Sequence, residues 1–161
     1  MTLKNEHSGM QQTMQDSLFR LDGQVALITG CRRGIGLAMA DALAEAGADI
    51  IGISATLDPA NSMVGEAVRR RGRRFFGFRC DLCDRTAVDL VLEQVLNQHP
   101  VIDVLVNNAG IVRRSPAEDH SDALWDTVLE VNLSASFRIS RRIGRSMLER
   151  GRGSIISTAS I

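Results

Sequence analysis

Apolar runs rich in Val and Ile alternate along the chain with longer segments whose apolar residues recur at helical spacing. This alternation predicts an α/β fold in which parallel strands are joined by crossover helices. The nearly continuous apolar runs favour strands that are buried on both faces of the sheet. Five strands are predicted, at Val25 to Thr29, Asp49 to Ser54, Arg74 to Cys80, Val101 to Asn107 and Ser154 to Thr158.

The first helical segment follows the first strand. Its apolar residues recur at every fourth position, at Ile35, Met39 and Leu43, and Gly47 stops the run. A glycine at that place is typical of a helix that ends in a left-handed cap. The first unit is therefore a strand, a tight turn and a helix.

Two later helices show clear apolar positions. Asp84 can cap a helix that ends before Pro100. The apolar stripe of this helix consists of Val88, Val91, Leu92 and Val95. A longer helical segment, from about Ser121 to Leu148, carries Trp125, Val128, Leu133 and Phe137.

Length and charge limit the organisation and the partners. The 161 residues, 44% of them hydrophobic, suffice for one globular domain with a sizeable core. We expect residues 1–17 to form a flexible N-terminal arm and residues 18–161 to form that domain. Nineteen basic and nineteen acidic residues give no net charge, which argues against nucleic acid or an anionic membrane as a partner.

Apolar runs and cysteines bear on localisation and redox chemistry. The apolar runs fall short of the roughly 20 residues that cross a bilayer, and the polar N-terminus does not resemble a secretory signal. We therefore expect a cytoplasmic protein.

The three cysteines are an odd number in a reducing compartment, which argues against a disulfide framework. Cys80 and Cys83 have the C-x-x-C spacing of redox or zinc sites, but no second ligand pair accompanies them. Two small residues at a strand end are the favoured interpretation, and no metal site is predicted.

Arginines cluster before the third predicted strand. The cluster consists of Arg69, Arg70, Arg71, Arg73 and Arg74. It is compatible with a phosphate or nucleic-acid patch. Its place at a helix end instead favours solvated cations that interact with the helix dipole.

A glycine-rich turn follows the first strand. It reads Thr29-Gly30-Cys31-Arg32-Arg33-Gly34-Ile35-Gly36. Glycines at these positions let a pyrophosphate approach the backbone, and the next helix offers its N-terminal N–H groups to the anion. By itself such a loop is also compatible with a plain tight turn, but the strand before it and the helix after it favour dinucleotide binding.

A second motif, Asn107-Asn108-Ala109-Gly110, directly follows the fourth strand. In a doubly wound sheet the ligand crevice lies at the carboxyl ends of the strands where the strand order reverses. The two motifs at this spacing resemble the short-chain dehydrogenase/reductase family, over about residues 21–161. The resemblance implies a Rossmann-type doubly wound parallel sheet and hydride transfer between NAD or NADP and a secondary alcohol or ketone. It also implies a small-molecule substrate and homo-oligomeric full-length members.

The resemblance assigns roles to particular residues. Asn132 matches the asparagine that holds a water of the family's proton relay, and Ser160 matches the serine that hydrogen-bonds the substrate oxygen. Without the resemblance, Asn132 would be read as a polar helix residue whose hydrogen bonds are satisfied, and Ser160 as an ordinary serine at the end of a strand. The expected cofactor-binding residues are Gly30, Arg33, Gly34, Ile35, Gly36, Ser54, Asp81, Leu82, Asn108, Ala109 and Gly110.

A closer likeness is to the sugar-acid branch of the family, the 2-deoxy-gluconate 3-dehydrogenases, also described as 2-dehydro-3-deoxy-gluconate 5-dehydrogenases. It is carried by Cys31 in the glycine loop, by Gly72-Arg73-Arg74-Phe75 and by Asn108 to Arg114 followed by Trp125-Asp126. The likeness implies a sugar acid as substrate. Arg113 and Arg114 could pair with its carboxylate or remain solvated at the surface.

The choice between NAD and NADP depends on the end of the second strand. An acid there accepts the ribose 2′-hydroxyl of NAD and repels the 2′-phosphate of NADP, and this chain has Ser54. Arg33 directly precedes the second loop glycine, where a basic residue can pair with that phosphate. These residues favour NADP, whereas the sugar-acid branch often uses NAD.

The family's proton donor is a tyrosine in a Tyr-x-x-x-Lys motif after the serine, and the 161 residues contain no tyrosine. We therefore expect a truncated chain, with a sheet that is incomplete at its C-terminal side. A positioned general acid is worth about 10²- to 10⁴-fold in rate, so almost no activity is expected. The uncovered edge of the fifth strand also predicts poor solubility of the isolated polypeptide.

Three functions remain open from the sequence. The first is a part of an NAD(P)-dependent oxidoreductase for a carbohydrate acid. The second is a non-catalytic dinucleotide-binding module, and the third is an oligomer-interaction fragment that uses the long helix. The presence of Asn132 and Ser160 favours the first, because a pure sensor needs neither.

Overall fold

The computed structural model describes residues 19–159, so the predicted arm at residues 1–17 and the predicted serine Ser160 lie outside the described residues. The strands are β1 (Val25–Thr29), β2 (Asp49–Ser54), β3 (Phe75–Arg79), β4 (Val104–Asn107) and β5 (Ser154–Ser157). The helices are α1 (Gly34–Glu45), α2 (Met63–Arg70), α3 (Arg85–Gln98), α4 (Asp122–Leu129) and α5 (Ser136–Arg150). A 3-10 turn (Ala117–Asp119) precedes α4, and a π-helical segment (Glu130–Ala135) joins α4 to α5.

The five strands form one parallel sheet in the order β3-β2-β1-β4-β5. The chain moves outward from β1 through β2 to β3, then returns to the other side of β1 and continues through β4 to β5. The strand order therefore reverses between β1 and β4, which is where doubly wound sheets open a crevice. The predicted α/β fold with a doubly wound parallel sheet is confirmed.

Each face of the sheet carries its own apolar core. Ala26 and Ile28 of β1 belong to the core under α1 and α2, whereas Leu27 between them belongs to the core under α3 and α5. This alternation follows from the opposite directions of successive side chains in a strand. Both faces are covered at β1, β2 and β4, as the nearly continuous hydrophobic runs predicted, whereas Ile155 and Ile156 of β5 are 45% and 48% exposed.

The predicted bounds of β1 and β2 are confirmed, but the other three strands are shorter than predicted. The largest difference is in β4, which begins at Val104 rather than Val101. The side chain of Asp103 explains part of it, since its carboxylate accepts hydrogen bonds from the backbone N–H of Val25 (3.0 Å) and from Arg150 (3.1 Å). These bonds tie the residues before β4 to β1 and to the end of α5.

The apolar stripe predicted for α1 does not mark its buried face. Ile35 is 68% exposed, and the buried residues of the helix are Gly36, Ala40 and Ala44. Small side chains at the contact allow the helix to approach the sheet closely. The larger apolar residues Met39 and Leu43 only border that core.

The long predicted helix is present but is divided by the π-helical segment. Its buried face consists of Val131, Ala135, Ile139, Ile143 and Met147. Trp125, Leu133 and Phe137, the large apolar residues that marked the segment, are exposed. None of the helices within residues 19–159 is long and apolar enough to span a membrane.

Two arginines of the cluster before β3 are anchored on a buried carboxylate. Asp49, which is 4% exposed, accepts hydrogen bonds from the backbone N–H of Arg74 (2.9 Å) and from its guanidinium (2.6 Å), and Arg73 lies at 3.1 Å. Burial by itself would raise the pKa of Asp49, but the bonds to Arg74 and the charges of Arg73 and Arg74 outweigh it and hold the pKa below its usual value. The expectation of a solvated cation is therefore wrong for Arg73, whose side chain is 26% exposed, whereas Arg74 is both ion-paired and 74% exposed.

Candidate functional site

A cleft of about 540 Å³ opens at the carboxyl ends of β1 and β4, on either side of the reversal in strand order. The residues that the sequence predicts for the cofactor all line it: Gly30, Arg33, Gly34, Ile35, Gly36, Ser54, Asp81, Leu82, Asn108, Ala109 and Gly110. Residues that were not assigned to the cofactor also line it: Arg32, Ala55, Thr56, Cys83, Ile111, Arg113 and Val131. The fold thus brings the predicted set together in one place.

Glycines at two positions of the loop are required by close backbone approach. Gly30 has a φ of 69°, and a Cβ atom on it would lie 2.7 Å from the Cα atom of Ala109. A Cβ atom on Gly36 would overlap the carbonyl oxygen of Gly30 and lie 2.5 Å from Nδ2 of Asn108. The loop after β1 and the loop after β4 are therefore packed backbone to backbone, which any side chain at Gly30 or Gly36 would prevent.

Side chains from β1 and from the loop after β4 hold these two loops together. The buried hydroxyl of Thr29 accepts hydrogen bonds from the backbone N–H groups of Asn108 and Ala109, both at 3.1 Å. The amide of Asn108 donates in return to the carbonyl oxygens of Thr29 (3.1 Å) and Gly30 (3.2 Å). These bonds fix the floor of the cleft across the point where the strand order reverses.

The N-terminus of α1 points into this cleft without a capping side chain. Ser62, Asp84 and Ser121 cap α2, α3 and α4, each accepting a hydrogen bond from a backbone N–H of the first turn. At α1, within the described part of the chain, Arg33 holds the cap position and supplies no such bond, and the first turn carries no acid. Its N–H groups and the positive end of its dipole are therefore available to an anion.

Charged side chains around the cleft are mostly basic. Arg32, Arg33 and Arg113 line it, and no ion pair joins any of them to an acid within residues 19–159. Asp81 also lines the cleft, and its carboxylate accepts a hydrogen bond from the backbone N–H of Cys83 at 3.0 Å. The local charge balance therefore suits an anionic ligand.

Ser54 at the end of β2 is turned into the protein. It is 7% exposed, and its hydroxyl lies 3.8 Å from the Sγ atom of Cys31. The next residues, Ala55 and Thr56, are exposed and line the cleft. The surface that would meet a ribose at this strand end therefore comes from the two residues after Ser54 as well as from Ser54.

The cysteines are free thiols in different surroundings. Burial raises the pKa of Cys31 to about 11, and burial followed by the nearby charge of Asp81 raises the pKa of Cys80 to about 11, so both are protonated at neutral pH. Cys83 is half-buried and reaches the cleft. Across residues 19–159, no group of three or more His, Cys, Asp or Glu side chains is placed to hold a metal ion.

Asn132 lies in the π-helical segment and binds the loop after β4. Its Oδ1 atom accepts from the backbone N–H of Ile111 (2.8 Å), and its Nδ2 atom donates to the carbonyl oxygen of Ile111 (2.9 Å). The wider turn of a π-helix, a feature often found at functional sites, includes this residue. The side chain of Asn132 thus fixes a lining residue of the cleft, Ile111.

The sequence profile of the short chain dehydrogenase family matches residues 24–161. The chain belongs to this family. Among curated proteins, a 2-dehydro-3-deoxy-D-gluconate 5-dehydrogenase from Pseudoalteromonas atlantica is 52% identical over 143 residues, which is 89% of this chain and 56% of the relative. A D-threitol dehydrogenase from Mycolicibacterium smegmatis is 40% identical over 150 residues, which is 93% of this chain and 57% of the relative.

Solved structures of the family have the same fold. A protein from Beutenbergia cavernae, described as an NAD(P)-dependent gluconate 5-dehydrogenase and solved with NADP at low occupancy, superposes with a TM-score of 0.81 at 38% identity, over 89% of this chain and 56% of that one. A metagenomic short-chain oxidoreductase in complex with NADP gives a TM-score of 0.82 at 34% identity, over 88% of this chain and 63% of that one. The chain therefore spans little more than half the length of the relatives that it matches.

Proposed function

We propose that the cleft binds NADP(H), with NAD(H) as the alternative ligand, and that the chain forms the dinucleotide-binding part of an oxidoreductase. The observation that carries the proposal is the uncapped N-terminus of α1 behind a glycine loop whose backbone is packed against Asn108 and Ala109. A pyrophosphate requires that combination of close backbone approach and unpartnered N–H groups. The volume of the cleft also lies in the range of small-molecule sites.

Different lining residues would hold different parts of the dinucleotide. The loop glycines and the start of α1 would hold the pyrophosphate, and Asp81 with Leu82 would lie against the adenine. Arg33 would pair with a 2′-phosphate, since Ser54, Ala55 and Thr56 at the end of β2 include no acid to repel it. The NADP found in the Beutenbergia cavernae and metagenomic relatives supports this assignment.

The bound nicotinamide would supply hydride transfer to or from a carbonyl carbon. The sugar-acid names of similar proteins, among them the Pseudoalteromonas atlantica relative, support a sugar acid as the substrate. Arg113 lines the cleft, and the only hydrogen bond of its side chain within the described region goes to the carbonyl oxygen of Val112, at 3.2 Å. It is therefore free to pair with a substrate carboxylate.

The proton step of this reaction needs a group that exchanges a proton with the substrate oxygen. Ser160 would hydrogen-bond that oxygen, and Asn132 would hold the loop that faces it. The 161 residues contain no tyrosine to act as the acid. We therefore propose that these residues alone bind dinucleotide and turn over substrate at a rate lower by about 10²- to 10⁴-fold than a chain that supplies such an acid.

Titration of the protein with NADPH and NADH tests the proposed cofactor. We expect saturable binding of both, with NADPH bound more tightly. The Arg33→Gln variant should raise the Kd for NADPH by about tenfold, because it removes a charged partner of the phosphate. The Kd for NADH should change by less than about twofold, since NADH lacks that phosphate.

Arg142→Gln is the matched control, since Arg142 is an exposed arginine of α5 that does not line the cleft. It removes the same charge and should leave both Kd values unchanged. Absence of saturable binding of either dinucleotide to the unsubstituted protein would refute the proposed function. Equal affinities for NADPH in the Arg33→Gln variant and the unsubstituted protein would refute only the role of Arg33.

A second function, contact between subunits, is favoured by the exposed apolar face of α4, the π-helical segment and α5. Trp125, Leu133 and Phe137 are 59%, 62% and 63% exposed, and such a face is typical of an association surface. We propose that a second copy of the chain covers it.

Sedimentation at several protein concentrations should then show a dimer that the Phe137→Glu variant dissociates, because a buried unpaired carboxylate is costly. Glu149→Gln, at an exposed position of the same helix, should leave the dimer intact. A monomer at all concentrations would exclude this association.

A further inference from the structure

Arg79 is the last residue of β3 and lies beside the end of β2. Its register partner across the sheet is Ser54. Its Nε atom donates a hydrogen bond to the carbonyl oxygen of Ala55 at 3.2 Å. Ala55 lines the cleft together with Thr56 and Arg33. The guanidinium of Arg79 is therefore held against the backbone of the segment that forms one wall of the cleft.

The remaining donors of this guanidinium have no partner in the described region. Arg71, Arg73 and Arg74, which precede β3, are each joined to a carboxylate of Asp41, Glu45 or Asp49. Arg79 makes no such ion pair among residues 19–159, and the bond to Ala55 uses one of its five N–H groups. The side chain is thus oriented by one bond and retains its charge and its paired Nη donors for another group.

The ligand that this position suits follows from the geometry of doubly wound sheets. In them the 2′ position of the adenosine ribose lies at the end of the second strand. That strand ends here at Ser54, with Ala55 and Thr56 exposed behind it and no acid among the three. An arginine fork at this place is suited to a phosphate monoester, which it can bind through two parallel N–H bonds.

We infer that Arg79 is a specificity-determining residue that binds the 2′-phosphate of NADP(H), opposite Arg33. The inference rests on the proposed function and adds a second cation to it. Arg33 lines the cleft from the loop after β1. Arg79 lies behind the lining residue Ala55, to which it is hydrogen-bonded, and would reach the phosphate from β3 across the Ala55–Thr56 segment. The preference for NADPH over NADH then depends on residues from two separate parts of the sequence, the loop after β1 and the end of β3.

The decisive experiment measures the Kd of the Arg79→Gln variant for NADPH and for NADH in the same buffer. We expect the Kd for NADPH to rise by about tenfold and the Kd for NADH to change by less than about twofold. The affinity for NADPH should also depend less on salt in the variant, because one charge fewer acts on the phosphate. Arg142→Gln serves again as the charge-matched control.

Adenosine 2′,5′-bisphosphate and ADP, used as competitors, separate the phosphate from the rest of the dinucleotide. The first should compete less well against the Arg79→Gln variant than against the unsubstituted protein, and ADP should compete equally. The Arg79→Lys variant, which keeps the charge but not the fork, should fall between the two proteins. Unchanged NADH binding in each variant shows that the variant is folded.

Three results would overturn the inference. Equal weakening of NADPH and NADH would mean that Arg79 only supports the backbone of Ala55, and no change in either would mean that it does not reach the ligand. Binding of NADH but not NADPH by the unsubstituted protein would also overturn it, while leaving dinucleotide binding in place. If the unsubstituted protein bound neither, the proposed function itself would fail.

Discussion

A Gly36→Ala substitution is expected to abolish dinucleotide binding and to destabilise the protein. The added methyl group would overlap the carbonyl oxygen of Gly30 and lie 2.5 Å from Nδ2 of Asn108. Both neighbours are fixed, because Nδ2 of Asn108 donates to the carbonyl oxygens of Thr29 and Gly30. The start of α1 must therefore move away from the loop, and the N–H groups that would face a pyrophosphate move with it.

The expected loss of affinity for NADPH and NADH alike is at least about 100-fold. The free energy of unfolding should fall by about 1–3 kcal/mol, as is usual when atoms are forced into a packed interior. A denaturant titration measures this fall in the free energy of unfolding. Alkylation of Cys83, which lines the cleft, gives an independent test of the loss of affinity. NADPH should slow this alkylation in the unsubstituted protein and not in the variant.

Gly144→Ala is the matched control for this substitution. Gly144 lies within α5, and a Cβ atom there would have its nearest contact at 3.6 Å, with Cδ1 of Ile155. This variant should bind dinucleotide normally and gain up to about 1 kcal/mol of stability from helix propensity. Native affinity in the Gly36→Ala variant would show that the close packing of the two loops is not needed for binding.

Local motifs made the site largely predictable from the sequence. The glycine loop and the Asn107-Asn108-Ala109-Gly110 motif follow directly after β1 and β4, so that the strand order alone brings them together. Every residue predicted for the cofactor accordingly lines the cleft. Ala55, Thr56 and Ile111 were missed, because ordinary apolar or hydroxyl residues in loops carry no pattern of their own. The role of Arg79 depends on the register between β2 and β3, which the sequence does not display.

Burial faces were less predictable than the elements themselves. A helical period of large apolar residues indicates a helix, but two apolar faces can compete for the core. In α1 the sheet accepts Ala40 and Ala44 and leaves Ile35 exposed at the cleft. In the long helix, Val131, Ile139 and Ile143 are buried while Leu133 and Phe137 face outward. Hydropathy gives both faces similar weight, so that only packing against the sheet decides between them.

Ion pairs between residues that are distant in the sequence were also not predictable. Five arginines before β3 indicate only a basic segment, because Asp49 is distant from most of them in the sequence. Parallel pairing of β2 with β3 places Arg74 and Arg73 at the start of β2, where Asp49 is buried. A carboxylate at the start of an apolar strand, with arginines just before the next strand, is the signal that could have revealed this ion cluster.

Removal of this carboxylate is the second change for which we expect a large effect. Asp49→Ala should lower the free energy of unfolding by about 3 kcal/mol, because it leaves the backbone N–H of Arg74 and the guanidinium of Arg73 without their acceptor in a buried setting. The melting temperature should fall by about 6–12 °C. Asp49→Asn keeps an acceptor oxygen and should cost about half as much. Asp41→Asn, which removes a partner of Arg71 that is more exposed than Asp49, should leave the melting temperature almost unchanged.

The dependence of this effect on pH provides a sharper test. The pKa of Asp49 in the folded protein lies below its usual value, so the carboxylate contributes stability at any pH above about 3.9, the value for an unfolded chain. That contribution is lost as the pH falls through the folded pKa. The difference in unfolding free energy between the unsubstituted protein and Asp49→Asn should therefore be constant from about pH 7 to pH 5 and shrink below about pH 4. A difference that stayed constant down to acid unfolding would mean that the charge of Asp49 contributes nothing, and that hydrogen bonding alone holds the start of β2 to β3.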